Sequence, residues 1–333
     1  MRFGLFLVLG LFAGSLLAQE TTIRTSVPLV VLPTSVADRK GHFLAGLSAS
    51  DFVVLDDGQP REIHVDDSDS EVSPVALVAV IQTSDLSLSA LAKIRKVGAM
   101  ISQAVVGANG EAAVVTFSDR VSVAQDFTND ADAIADVFQN LKPADTSEGR
   151  MIDAVQQAVD MLSHRPGPRR SALVIISESK DRGSEGKLDS VVSEIQRTRV
   201  TVYSLTYSAY LTPFTTRPSD YSPPPMAESK NVRNEVSALP MITEMARLAK
   251  KNTVQALTRA TGGQELKFET KAKLENDLIR LGADIHSRYV ISFTPEISSE
   301  PRFHRLEVRI KGRPNAIVHS RPGYWSGLSE STK

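Results

Sequence analysis

The stretch Val75-Ala-Leu-Val-Ala-Val-Ile-Gln-Thr-Ser84, continued by Asp85-Leu86-Ser87, decides how the chain is read. Seven apolar residues run unbroken from Val75 to Ile81. A strand with no polar face is buried on both, the condition of a central strand in a parallel sheet covered by helices. The run then breaks into Gln, Thr, Ser and Asp. Open α/β sheets hold their ligands beyond the carboxyl ends of the strands, so Gln82 to Ser87 is where recognition or chemistry is expected.

Outward from this strand, apolar runs and helical spacings alternate. Leu91, Ile94, Ile101 and Val105 predict a helix. Glu111 to Phe117 and Val121 to Phe127 predict strands, and Asp130 to Leu141 a helix. Met151, Val155, Val159 and Leu162 mark another helix, and Ser171 to Ile176 a second continuous apolar strand. A helix on Leu188, Val191, Val192 and Ile195, a strand over Val200 to Leu205, a helix from Ile242 to about Ala260, a strand over Glu265 to Glu269 and a helix through Leu274 to Ile285 complete the series. This order predicts an α/β fold with a Rossmann-like, doubly wound, mostly parallel sheet.

The ends read differently. Residues 19–72 form a small β module: a strand within Ser26 to Val36, a helical turn capped by Ser48, then Phe52 to Leu55 returning over Asp57-Gly58 as Arg61 to Val65. His64 reads as a solvated strand residue, and Asp66 to Ser70 as a linker. Residues 73–287 hold the α/β domain, interrupted at 210–240 by a Pro-rich loop. Residues 288–326 form a C-terminal β hairpin extension, in which Arg305 to Lys311 alternates as a half-buried strand should. The two β ends are expected to pack on each other, because half-buried strands need a partner face.

The chain has 333 residues and a formal net charge of −1, so no basic excess points to nucleic acid. It contains no cysteine, which excludes disulfides, thiol catalysis and zinc–thiolate sites. Residues 1–18 read as a signal peptide: Arg2, the apolar run Phe3 to Phe12, then Gly14-Ser-Leu-Leu-Ala18 before Gln19. The run is shorter than the roughly 20 residues of a spanning helix. An exported protein, periplasmic or secreted and without a membrane span after cleavage, is expected.

Four segments in the same order give the chain a resemblance to a known family. They are Gly46-Leu-Ser-Ala-Ser-Asp-Phe52 with Asp57-Gly58-Gln-Pro60; the strand at Val75; Arg170-Ser-Ala-Leu-Val-Ile-Ile-Ser177; and Tyr289-Val-Ile-Ser-Phe-Thr-Pro295 through Arg321-Pro-Gly-Tyr-Trp325. Together they resemble the von Willebrand factor type A (VWA) proteins, in particular their secreted VWFA-related branch. The resemblance implies protein recognition through a metal-ion-dependent adhesion site of the form Asp-x-Ser-x-Ser, with a Thr and a second Asp from later loops. At those positions this chain carries Gln82, Ser84 and Leu86, the last beside Ser87. The Thr position falls on Gly149 or Thr146, and the later Asp on Glu178, which Lys180 could neutralise. A hard cation needs oxygen ligands and anionic charge. No cofactor is therefore expected, the alternative being a residual Mg²⁺ or Ca²⁺ site on Ser84, Thr146 and Glu178. Gln82, Ser84, Asp85, Ser87, Thr146 and Glu178 are the candidate binding residues for a protein partner.

Two other functions are open: a metal-independent scaffold or regulatory subunit of an envelope complex, and a serine hydrolase using Ser84. Against the hydrolase, no Gly-x-Ser-x-Gly elbow occurs, and none of the six histidines adjoins an evident acid partner. Phosphate-loop and His-Glu-x-x-His motifs are also absent from the sequence. If the leader is cleaved as read, intact-mass measurement of the secreted product gives a chain starting at Gln19. Retention of Met1 in the extracted protein would refute cleavage.

Overall fold

Alternate residues of a strand point to opposite faces, so an unbroken apolar run must be covered twice. The computed structural model describes residues 29–66, 74–165, 167, 169–208, 252–296 and 302–326, and in it this strand is covered twice. The expected signal peptide, the linker after Asp66, the Pro-rich loop and the first part of the helix from Ile242 lie outside the described residues.

In chain order the strands are β1 (Val30–Ala37), β2 (Phe52–Asp56), β3 (Gln59–Pro60), β4 (His64–Asp66), β5 (Val75–Gln82), β6 (Glu111–Phe117), β7 (Val121–Thr128), β8 (Arg170–Ser177) and β9 (Thr201–Thr206). After them come β10 (Glu265–Lys267), β11 (Tyr289–Phe293), β12 (Phe303–Ile310), β13 (Ile317–His319) and β14 (Gly323–Trp325). The helices used below are α1 (Leu88–Ile94), α2 (Ala131–Gln139), α3 (Met151–Ser163), α4 (Leu188–Thr198), α5 (Thr253–Thr261) and α6 (Lys271–His286).

The central sheet has the order β10-β9-β8-β5-β6-β7, parallel except for the edge strand β7. Every residue of β5 is buried. Val75, Leu77, Ala79 and Ile81 enter the core under α1, α2 and α6; Ala76, Val78 and Val80 enter the opposite core under α3, α4 and α5. Chain order reverses between β5 and β8, which makes the gap at their carboxyl ends the topological switch point of the sheet.

The two chain ends share one β module. β13-β1-β11-β4 and β14-β12-β2-β3 form two four-stranded sheets around a third core that includes Leu32, Phe52, Tyr289 and Tyr324. Three details differ from the expectations. The strand returning from Asp57-Gly58 is only Gln59–Pro60, with one further bond from the Arg61 N–H to the Val54 carbonyl; His64–Asp66 then pairs with β11 in the other sheet. β11 and β12 lie in different sheets and do not make a hairpin with each other; β12 pairs instead with β2 and β14. The helix expected through Leu91 and Val105 breaks after Ile94 and continues, from Gly98, into wide π turns over Ile101–Val106. That bend lets Gly282 of α6 press on the backbone: a Cβ there would stand 1.8 Å from the Ala104 carbonyl oxygen.

A buried ion pair joins the β module to the α/β domain. Arg288 follows α6, and its Nε donates to Asp284 Oδ2 at 3.0 Å. Its Nη1 donates to the Pro33 carbonyl of β1 (3.1 Å) and its Nη2 to the Gly262 carbonyl (2.7 Å). Tyr203 Oη and Gln264 Nε2 also donate to Asp284, at 2.6 and 2.8 Å. Burial by itself would raise the Asp284 carboxyl, but Arg288 and the hydroxyl donors outweigh it and hold it below the ordinary 3.8. A carboxyl depressed in the folded state contributes stability above its unfolded pKa and loses it as pH falls through the folded value. Asp284→Asn strands the Arg288 charge and should cost about 3–5 kcal/mol at pH 7. In urea titrations from pH 7 to 3, the variant's stability should fall less steeply below about 4 than that of the wild type. Equal pH slopes would remove Asp284 from the account.

Candidate functional site

β5 and β8 end side by side, so Gln82 and Glu178 meet across the switch point. Gln82 Oε1 accepts from the Glu178 backbone N–H at 2.9 Å and from Tyr207 Oη at 3.4 Å. This orients the amide: Gln82 Nε2 donates to Ser84 Oγ at 2.8 Å and reaches Glu178 Oε1 at 3.5 Å. Burial pushes the Tyr207 phenol well above its ordinary pKa, so it stays a neutral donor. Gly149 leaves room for the amide, since a Cβ there would stand 3.0 Å from Gln82 Nε2.

Arg182 holds the Glu178 carboxylate, with Nε at 2.7 Å from Oε1 and Nη2 at 3.3 Å from Oε2. Lys180, expected in that role, is exposed. The loop that delivers Arg182 is fastened at several points. Asp181 Oδ1 accepts from the Ile152 N–H at the start of α3 and from Ser184 Oγ. Asp153 accepts from the N–H groups of Glu185 and Gly186, and Gly149 and Arg182 exchange backbone hydrogen bonds at 2.8 and 2.9 Å. Asp153 therefore supports the loop. The spacing of four between Glu178 and Arg182 is the one local signal of this pair, whereas the bond of Asp181 to α3 leaves no local mark.

The remaining candidates scatter around this centre. Ser87 Oγ donates to the Ser84 carbonyl, closing the turn after β5. Thr146 meets the site through its backbone, its carbonyl accepting from the Asp85 N–H at 2.9 Å, while its hydroxyl accepts from the Glu148 N–H. Asp85 Oδ1 is buried without a partner among the described residues. Gln82, Ser84, Ser87 and Glu178 are themselves buried. Two clefts open beside them. One, of about 370 Å³, is lined by Thr83, Ser118, Asp119, Arg120, Asp145 and Thr146. The other, of about 350 Å³, lies between Glu178, Lys180, Tyr207, Asn252 and Lys267. The outward surface of the strand tips is thus built by neighbours of the motif positions.

The donor set does not fit a hard divalent cation. The Glu178 carboxylate is already occupied by a guanidinium, which leaves Asp85 as the one candidate carboxylate without a counter-charge among the described residues, and Gln82 turns its NH₂ toward Ser84, where a cation would need oxygen. Nor is there a nucleophile–base pair: Ser84 Oγ receives the Gln82 amide, Ser177 Oγ donates to the Glu178 carbonyl at 2.6 Å, and no histidine among the described residues bonds to either hydroxyl. A second carboxylate–imidazole group, Asp56, Asp57 and His304, lies in the β module. There Arg302 Nε donates to His304 Nε2 at 3.2 Å, which places the imidazole proton on Nδ1, facing Asp57 Oδ2 at 3.1 Å. Arg61 neutralises Asp56 at 3.0 Å. These bonds tie β2 to β12.

The sheet order and its crevice define a doubly wound α/β domain, and in fold the chain resembles VWA domain proteins. No family model and no curated protein matches the sequence. Among solved structures it is similar to a von Willebrand factor type A protein from Catenulispora acidiphila, at 11% identity and a TM-score of 0.45, over 91% of this chain and 75% of that one. It is also similar to an aerotolerance-related membrane protein from Bacteroides fragilis carrying mutations to serine, at 14% identity and a TM-score of 0.43, over 63% of this chain and 98% of that one. The conserved hypothetical protein BatB from Bacteroides thetaiotaomicron gives 13%, 0.41, 63% and 98% for the same quantities. Among the described residues no helix is long and apolar enough to cross a membrane.

Removing the guanidinium isolates its contribution. Arg182→Met leaves the Glu178 carboxylate buried with only the long Gln82 contact. The side chain of Arg182 is 35% exposed, so solvent tempers the loss, and a destabilisation of about 1–3 kcal/mol in urea unfolding is expected. Adding Glu178→Gln to Arg182→Met should recover part of it. Strict additivity of the two changes would dissolve the pair.

Proposed function

We propose that the strand-tip face is an extracytoplasmic protein-recognition surface that works without a bound cation and without catalysis. The observation carrying this reading is the Glu178–Arg182 pair in the switch-point crevice. In this fold a ligand belongs there, and the group occupying the crevice is a side chain of the protein itself. With the Gln82 amide it saturates the centre, leaving the two polar clefts and the exposed Asp145, Glu148 and Lys180 to meet a partner. The N-terminal leader sequence supports an exported protein, periplasmic or secreted. An envelope scaffold or regulatory subunit is the form such a constitutive binder takes.

The test has two arms. Saturating a site at 100 times its dissociation constant adds about 2.7 kcal/mol of stability, so millimolar Mg²⁺, Mn²⁺ or Ca²⁺ should leave the melting temperature unchanged. Gln82→Asp with Leu86→Ser, Glu178→Asp and Arg182→Ala should then acquire a cation-dependent rise. In the second arm, capture of partners from the native envelope should persist in EDTA and be lost on charge reversal at the exposed rim, Asp145→Arg. Cation-dependent stabilisation of the wild type, abolished by Ser84→Ala, would establish a working metal site instead. Labelling of Ser84 by a covalent serine probe would establish the hydrolase.

A further inference from the structure

At the pole opposite the strand tips, the amino ends of β8 and β9 and the carboxyl end of α6 meet the β module around a cavity of about 270 Å³. Four guanidiniums line it, those of Arg169, Arg170, Arg199 and Arg288, against one carboxylate, Asp66. Two of the four have a carboxylate partner: Arg288 has Asp284, and Arg169 shares Glu111, at 3.3 Å, with Arg165. Asp66 is itself engaged with His64 at 3.2 Å. Arg170 spends the two donors of Nη1 on the carbonyls of Ile285 and His286, both at 2.8 Å, which leaves its charge uncancelled. Arg199 is exposed and makes no hydrogen bond or ion pair among the described residues.

Arg199 is also held where its backbone is disfavoured. It caps α4 with φ 60° and ψ 22°, the left-handed conformation that glycine ordinarily supplies at a helix end. The adjoining crevice, which shares Pro33, Arg199 and Thr201, brings in Arg321, whose buried Nε has no partner among the described residues. Burial, with the charge of Arg199 added, pushes the Arg321 guanidinium down to about 10. Burial, with the charge of Arg288 added, lowers Arg170 as well. Arg199 repels Arg321 and Arg288 repels Arg170, and among the described residues no ion pair joins a carboxylate to Arg170 or Arg199, Asp66 of the same lining included. Val31, Ile285 and Val290 supply apolar lining.

We propose that this cleft binds a small organic carboxylate, its oxygens on Arg170 and Arg199 and its apolar body against Val31, Ile285 and Val290. A guanidinium presents paired donors that match a carboxylate, and the apolar lining favours an organic acid over an inorganic oxyanion. The site is independent of the strand-tip face, at the other end of the sheet.

The probe is benzoate, with inorganic phosphate and chloride at matched ionic strength, titrated calorimetrically into the mature chain. Benzoate should bind the wild type, and phosphate more weakly. Arg199→Gly should weaken benzoate at least tenfold while leaving the melting temperature of the free protein unchanged or higher, since glycine takes the left-handed conformation freely. Arg199→Asn, which also tolerates that conformation, should behave alike. No benzoate binding by the wild type, or undiminished binding by both variants, overturns the site. Phosphate binding as tightly as benzoate overturns the assignment of the apolar lining.

Discussion

The Asp284–Arg288 pair is the joint on which the molecule turns. The polypeptide leaves the β module after β4, runs through the α/β domain, and returns to the module at β11, directly after Arg288. The guanidinium therefore sits where the second crossing occurs, reaching β1 through Pro33, the end of α5 through Gly262, and its own helix through Asp284. It also lies 5.3 Å from the centroid of the Tyr203 ring. An apolar contact could bury the same area, but it would not set the angle at which the two bodies meet. A planar fork with three acceptors in fixed directions does. The desolvation of both charges is tolerable because the donors and acceptors of the pair are matched: Tyr203 and Gln264 satisfy the carboxylate oxygens that Arg288 leaves open.

This joint also fixes the surroundings of the arginine-lined cleft, which lies between the two bodies it connects. The strand tips, at the other end, are governed by a different balance. Two carboxylates facing each other across β5 and β8 would repel unless a cation stood between them. With Gln82 in place of one, the repulsion disappears, and Arg182 supplies the single positive charge that Glu178 requires. The amide does more than remove charge. It accepts from the Glu178 N–H, so the two strand ends are bonded directly to each other.

The framework was legible because it depends on contacts that repeat along the chain. A run such as Val75–Ile81 can only be a strand covered twice, and the helical spacings of Met151 to Leu162 or Leu274 to Ile285 allow one buried face. Failures came where a tertiary partner decides. The chain expected to stay beside β2 from Arg61 to Val65 left it to pair His64–Asp66 with β11. β11 and β12, close in sequence, joined different sheets because β1 and β2 had open edges to offer them. Around the crevice, Gln82, Ser84 and Glu178 could be brought together from the topology alone. Their burial could not be read, nor could the role of Arg182. That residue lies four positions from Glu178, but the bonds by which Asp181 and Asp153 fasten its loop to α3 are long-range, and no local pattern records them.

The two poles differ most in how their charge is arranged. At the strand tips Glu178 has its counter-charge in Arg182, so the centre exerts little field and the proposed partner is recognised by shape and by hydrogen bonds from the rim. At the cleft, Arg170 and Arg199 have no ion pair among the described residues, and Arg199 keeps its charge at a left-handed backbone position that glycine or asparagine takes more readily. A site whose charges are all paired gains little from an ion. A site lined by both guanidiniums and aliphatic side chains gains from an amphipathic anion twice, through neutralisation and through burial. The asymmetry within one small sheet is therefore a difference in what each end can hold: protein surface at the tips, a small charged molecule at the base.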